Sequence, residues 1–263
     1  MEKKLLSIVT LFSVIFIIFV TGCTKKDNNA DTLDKIMQRG KVIVGVKYDT
    51  KPFGYIDEKH RLAGYDIDLA RYIAKSLLGD ENKIEFRQVT PSNRIWAVNS
   101  GQVDMVIATM TVTKQRREII DFSIPYYVTG QSILVPKNSK ITSMTDLNGK
   151  RVVIIFGSTA EKTVRLIAPD AAIIGFKTYT SGFEALKHGH ADAMTSDDTI
   201  LMGFAIDDNS VKLLPGIYSK EPYAVAFKKG ASSARLKGRV DNIIEDMEAR
   251  GKLRRLKNKW IKY

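Results

Sequence analysis

Short branched apolar runs alternate with helix-period segments twice over, and that alternation constrains the fold more than any other feature of the chain. Residues 41–47, KVIVGVK, read as a strand. Residues 66–78 place Ile67, Ala70, Ile73, Ala74 and Leu77 at helical spacing and close on Gly79. Residues 83–89 read as a second strand, 91–99 as a short helix with Pro91 at its start, and 103–108 as a third strand. A strand-helix-strand-helix-strand run predicts a parallel-rich α/β sheet. An extended crossover over 126–136 leads to a second series. Its strands are expected at 151–156, 171–176 and 191–196, with helices starting near Ser158, Ser181 and Asp198, and it ends at KLLPG, 212–216. A further strand at 221–230 precedes a helical tail from Ser232. The tail carries Leu236, Val240, Ile243, Ile244 and Met247, breaks at Gly251, and runs on to Trp260.

Two α/β modules are therefore expected: lobe one at 31–131 plus 222–263, and lobe two at 132–221. Crossings near 131–136 and 217–222 predict a two-strand hinge, and ligand sites favour such interfaces.

The N-terminus reads as a separate object. Lys3 and Lys4 precede a 16-residue run, 5–20, with only Ser7, Thr10 and Ser13 as polar members. A membrane span needs ~20 apolar residues, so residues 1–22 read as a signal peptide; an uncleaved membrane anchor is the alternative. Val20-Thr21-Gly22-Cys23 resembles the lipobox of bacterial lipoproteins, in which the cysteine is acylated and becomes the new N-terminus. Cys23 is the only cysteine of the 263 residues, so it has no intramolecular disulfide partner. Residues 23–30 read as the lipidated cysteine and a polar tether. Either N-terminal reading places the rest of the chain outside the cytoplasmic membrane. The net charge of +12 raises nucleic acid as a partner. Export and the interleaving of acids with bases argue against it and favour an anionic ligand or surface. The basic segment 252–263 reads as a solvated helix face anchored by Trp260.

The chemistry-bearing residues gather after strands, where open α/β sheets bind ligands. Thr109, Thr111 and Arg116 follow the third strand. Gly157, Ser158 and Thr159 open a helix, whose free amides favour an anion; no Walker lysine follows. Asp197 and Asp198 stand at another helix start, one able to cap it and the other to face a cation. An arginine grips a carboxylate with two parallel hydrogen bonds, and an aspartate accepts from an ammonium, so such a cleft suits a zwitterion. His188 and His190 in KHGH read as a loop rather than a metal pair. Neither a Ser-His-Asp order nor a paired-carboxylate constellation points to catalysis, and no cofactor is implied.

PFGYIDEKHRLAGYDIDLARYIAKSL, GQVDMVIATMTVTKQRREIIDFSIPYY, GSTAEKTV, HADAMTSDDTILMG and EPYAVAFKKG occur in that order. Over residues 33–263 the chain thereby resembles the polar amino-acid family of bacterial periplasmic solute-binding proteins, the receptors of ABC importers. The resemblance implies a two-lobed type II periplasmic-binding-protein fold, an amino-acid ligand, and a permease with its ATPase as partners of a monomer held at the cell membrane by its lipid anchor. It assigns the ligand α-carboxylate to Arg116, assisted by Thr109, Thr111, Ser158 and Thr159, and the α-ammonium to Asp197. Phe53 or Tyr55 would form an aromatic wall. Basic residues at the positions of Lys47 and Arg94 hold a side-chain carboxylate in aspartate- and glutamate-binding relatives, and Tyr179 is a further side-chain contact. The expectation is thus an aspartate or glutamate receptor. Glutamine or another polar amino acid is the alternative ligand. A dehydratase-type enzyme on the same fold and an extracellular sensory or adhesive role are the remaining readings.

Overall fold

The computed structural model describes residues 31–261. The expected signal peptide, Cys23 and the tether lie outside the described residues. Helix α1 (Thr32–Arg39) is capped by Asp31, whose carboxylate accepts from the Leu33 N–H at 2.8 Å. Strand β1 (Val42–Val46) follows, then three short strands, β2 (Asp49–Thr50), β3 (Gly54–Ile56) and β4 (Leu62–Ala63). Next come α2 (Tyr65–Leu78), β5 (Ile84–Gln88), α3 (Arg94–Asn99), β6 (Met105–Val106), α4 (Lys114–Arg117) and β7 (Ile120–Thr129). The second series runs β8 (Gln131–Pro136), β9 (Arg151–Ile155), α5 (Ala160–Ile167), β10 (Ala172–Phe176), α6 (Tyr179–Lys187), β11 (Ala193–Asp197), α7 (Asp198–Asp207) and β12 (Val211–Leu213). Strand β13 (Glu221–Lys228) and helices α8 (Ala231–Ala249) and α9 (Lys252–Trp260) complete the chain.

Two five-stranded sheets carry the two lobes. The first has the order β5-β1-β6-β13-β7, the second β10-β9-β11-β8-β12. In each, the first three strands are parallel, as the strand-helix alternation requires. The remaining pairings are antiparallel, β6 with β13 and β13 with β7 in the first sheet, β11 with β8 and β8 with β12 in the second. The chain leaves the first sheet at Thr129 and enters the second at Gln131, with only Gly130 between, and it returns over 214–220. The two passages are bonded side by side. Thr129 pairs with Glu221, the Tyr218 N–H donates to the Gln131 carbonyl at 2.9 Å, and the Gln131 N–H donates to Ser219 Oγ at 3.0 Å.

Helical spacing in the sequence translates directly into buried faces. Ile67, Ala70, Ile73, Ala74 and Leu77 of α2 are buried, and so are Leu236, Val240, Ile244 and Met247 of α8. Each fully buried large aliphatic side chain contributes about 1.5–3 kcal/mol. Ile243 is only half-buried. Trp260 packs edge-on against Tyr55 at 6.2 Å and donates its indole N–H to Asp68 at 2.8 Å, which anchors α9.

Several element boundaries differ from expectation. The apolar run 103–108 forms a ladder only at Met105–Val106, although Val103, Ile107 and Ala108 are buried; an apolar run reports burial, not pairing. Residues 90–93 form a turn, with the Thr90 N–H on Asn93 Oδ1 at 2.8 Å, so α3 begins at Arg94 rather than Pro91. Helix α5 begins at Ala160 because the Ser158 N–H closes a turn onto the Ile155 carbonyl at 3.0 Å. Helix α1 and the three strands β2, β3 and β4 carried no expectation, and β7 is a ladder strand where its C-terminal part was expected as an extended crossover. Strands of two or three residues are too short for a period to show, and Pro125 with a shifted register breaks the alternation in β7.

Candidate functional site

The ends of β1, β6, β9 and β11 meet in one interior region between the lobes. Thr109, just past β6, has φ +47°. A β-branched residue seldom occupies the left-handed region, and holding it there costs about 1–3 kcal/mol. The carboxylate of Asp66 holds it there, accepting from the Thr109 N–H at 3.0 Å and from the Tyr126 hydroxyl at 2.9 Å. Asp66 is fully buried in the first turn of α2, and burial pushes its pKa up to about 6.

Arg116 sits in the short helix α4, whose cap Thr113 accepts from the Arg116 N–H at 3.1 Å. Its guanidinium donates to the Thr111 carbonyl at 2.8 Å and, across the cleft, to the Gly157 carbonyl at 2.7 Å. Arg117 points outward, its guanidinium 5.8 Å from the Phe122 ring. Arg94 donates to the Ala108 carbonyl at 2.6 Å, to the Thr109 carbonyl at 3.2 Å, and to the same Gly157 carbonyl at 3.4 Å. Its Nε is buried with no hydrogen-bond partner among the described residues. Lys47 follows β1 directly, 1% exposed. Its ammonium donates to Thr109 Oγ1 at 2.5 Å and lies 4.3 Å from the centre of the Tyr179 ring. Tyr179 opens α6, and its N–H donates to Asp49 at 3.0 Å.

The two adjacent aspartates part company. Asp198 accepts from the Thr199 N–H at 2.7 Å and from the Thr129 hydroxyl, which ties it to the helix start. Asp197 is the last residue of β11, and one carboxylate oxygen accepts from Gln131 Nε2, the other from the Tyr223 hydroxyl. The Thr159 hydroxyl donates to Glu221 at 3.0 Å and accepts from Gln131 Nε2 at 3.3 Å. Ser158 is half-buried, its Oγ accepting from the Ala160 N–H at 3.4 Å. The expected anion-binding amide at Ser158 is thus turned to Ile155, and a carbonyl, that of Gly157, faces the two arginines. Phe53 is fully buried, edge-on to Tyr127 and Tyr223 at 5.4 Å each. It stands behind the tyrosine that bonds Asp197, while Tyr55 packs on Trp260. His188 and His190 are exposed, and among the described residues no group of three metal-ligating side chains comes together.

Charge is segregated in this region. Lys47, Arg94 and Arg116 are buried, and among the described residues none of them forms an ion pair. The buried acids take their hydrogen bonds from neutral donors: Asp66 from Tyr126 and Thr109, Asp197 from Gln131 and Tyr223, Glu221 from Thr159 and Ser219. Burial, reinforced by the Arg94 charge, pulls the Lys47 pKa down. Burial, reinforced by Glu221, pushes the Asp197 pKa up. Burial also disfavours the charge on both arginines, yet a guanidinium keeps its proton in proteins. Unpaired buried ions cost several kcal/mol each, and a molecule carrying both signs is the natural complement. Asp66, Gln131, Tyr223 and Glu221 were not singled out by the sequence; Asp66 lies in GYDIDLA and Glu221 and Tyr223 in EPYAVAFKKG, but neither stretch marks them as site residues.

Residues 42–263 match the profile of the bacterial extracellular solute-binding proteins, family 3. The chain is 38% identical to the ABC transporter glutamine-binding protein GlnH of Bacillus subtilis, over 99% of this chain and 98% of that protein. It is 44% identical to the glutamine-binding protein of Geobacillus stearothermophilus over 78% of this chain and 79% of that protein. It is 32% identical to the glutamate-binding protein GluB of Corynebacterium efficiens over 76% of this chain and 70% of that protein. Among solved structures, the cysteine-binding protein of Campylobacter jejuni superposes with a TM-score of 0.84 at 37% identity, covering 88% of this chain and 93% of that one. The two-lobed fold, the paired crossings and these similarities agree: the chain belongs to the bacterial extracellular solute-binding proteins of family 3.

Proposed function

We propose that this protein is the substrate-binding receptor of an amino-acid ABC importer, and that its cleft takes an acidic amino acid, aspartate or glutamate. Receptors, not enzymes, are what its curated relatives are named as. The observation that carries the ligand reading is the set of three buried cations, Lys47, Arg94 and Arg116, none of them in an ion pair among the described residues, in the same region as the buried carboxylate of Asp197. Arg116 takes the α-carboxylate, with Thr109, Thr111, Ser158 and Thr159 around it, and Asp197 takes the α-ammonium. Lys47 and the partnerless Nε of Arg94 take the side-chain carboxylate, which as a second buried anion needs its own cations. Tyr179 covers that end, and Phe53 stands behind Tyr223, which bonds Asp197 at the ammonium end.

Residues 31–131 plus 222–263 act as one lobe and 132–221 as the other. The ligand selects the closed arrangement because only that arrangement completes both sets of contacts. The closed protein, a monomer anchored through a lipidated Cys23, then docks on a membrane permease whose paired ATPase uses ATP.

Glutamine is the second reading, favoured by the two relatives named as glutamine-binding. Its side-chain carbonyl accepts from Lys47 and Arg94 as a carboxylate oxygen does. A thermal-shift panel of amino acids on the soluble part separates the two. A ligand at ~100 times its dissociation constant adds ~2.7 kcal/mol. Stabilisation by aspartate or glutamate supports the acidic reading, stabilisation by glutamine alone replaces it, and stabilisation by no amino acid overturns the receptor assignment.

A further inference from the structure

Gln131 opens β8 directly after the Gly130 crossing and lies opposite Asp197 in the antiparallel register of β8 and β11. Residues opposite each other in a ladder project to the same face, so the two side chains meet. Gln131 is 1% exposed. Its Nε2 donates to Asp197 and to Thr159, while its Oε1 is buried with no hydrogen-bond partner among the described residues. Reversing the amide would set Oε1 against a carboxylate oxygen, two acceptors in contact, so the orientation is determined by the network. Buried polar atoms are nearly always hydrogen-bonded, and a lone one is costly. Among the described residues the other buried side-chain acceptors each have a partner, so this acceptor beside Asp197 is matched to a donor that arrives from outside.

A primary ammonium carries three N–H donors. Asp197 already receives Gln131 on one oxygen and Tyr223 on the other, so its remaining lone pairs cannot accept all three in good geometry. We propose that Gln131 Oε1 is the second acceptor of the ligand's α-ammonium, beside Asp197, an inference that rests on the amino-acid receptor reading. Gln131 then has two jobs on one amide: Nε2 orients the Asp197 carboxylate and Oε1 touches the ligand. It is the first residue of the second sheet's β8, one residue past the Gly130 crossing, so the ammonium is gripped beside the hinge.

Titration calorimetry with L-glutamate and L-glutamine on wild type, Gln131→Met and Gln131→Glu tests this. Both variants keep the length of the side chain. Gln131→Met loses the donor and the acceptor; in Gln131→Glu the new carboxyl and Asp197 would be two acceptors in contact and so share one proton, which replaces the Nε2 donor and leaves the second oxygen as an acceptor. Gln131→Met should weaken whichever ligand binds by about tenfold or more, the loss expected of a hydrogen bond to a charged group. Gln131→Glu should stay within about threefold of wild type, which is under ~0.7 kcal/mol. Equal losses in the two variants would overturn the Oε1 contact, since only Gln131→Glu keeps an acceptor there, as would unchanged affinity in both. A wild-type protein that binds no α-amino acid would overturn the receptor reading instead.

Discussion

Gly203 of α7 approaches the Lys51 carbonyl so closely that a methyl carbon built on the glycine would stand 2.5 Å from that oxygen. The contact bridges the two lobes, and it is backbone against backbone, so no rotamer change relieves it. Beside it the Lys51 ammonium reaches Asp207 at 2.6 Å, and the Tyr127 hydroxyl meets Thr199 Oγ1 at 3.1 Å. At the other rim, Gly157 abuts the Pro91 carbonyl in the same way. The closed arrangement therefore depends on an absent side chain. Gly203→Ala should raise the dissociation constant of every ligand about five- to hundredfold, the equivalent of ~1–3 kcal/mol of overpacking borne by the closed form alone. The ligand-free melting temperature should hold or rise, since alanine favours a helix over glycine by ~1 kcal/mol. Calorimetry showing wild-type affinity would refute the role of this contact in closure.

Arg116 makes two hydrogen bonds in fixed fork geometry, one to each lobe. Arg116→Lys preserves the charge and removes the fork. It should weaken acidic and neutral amino acids alike by about 2 kcal/mol or more, and Arg116→Ala should abolish binding of all of them. A selective loss for one ligand class, measured by the same panel, would place Arg116 at the side chain rather than at the α-carboxylate.

Arg94 is buried with its Nε unmatched, and its other donors rest on carbonyls. Removing its charge leaves a side-chain carboxylate underpaired but a side-chain amide nearly indifferent. Arg94→Gln should cost glutamate and aspartate at least about tenfold more affinity than it costs glutamine. Equal losses in competition measurements would remove Arg94 from the specificity argument.

Asp66 binds a proton more tightly in the folded state, its pKa raised from the ordinary 3.8 to about 6 by burial. Between those values the native state holds more protons than the unfolded chain. The contribution is thus fully present below pH ~4 and is lost as pH rises through ~6, a swing of about 3 kcal/mol. Asp66→Asn cannot titrate. Urea denaturation at pH 4, 5, 6 and 7 should show the wild-type-minus-variant stability falling over that window. A constant difference would mean that Asp66 ionises in the folded protein as it does in water.

The alternation of apolar runs with helical periods, read residue by residue, already separates β1, α2 and β5 from β9, β10 and β11 and places Arg116 and Asp197 after strands. This much is legible because the faces of a strand and a helix repeat every 2 and 3.6 residues, so burial is written locally. Which buried charges meet is not written locally. Asp66 meets Tyr126 across 60 residues, and Gln131 meets Asp197 across 66. Gln131 in TGQS and Tyr223 in EPYAVAF look like ordinary strand residues until the register of β8 with β11 and the return of β13 put them on one carboxylate. The local period thus determined the elements and which faces they bury. Only the tertiary structure decided that, among the described residues, Lys47, Arg94 and Arg116 form no ion pair and Gln131 Oε1 has no donor, because pairing between distant strands is set by packing and sheet register.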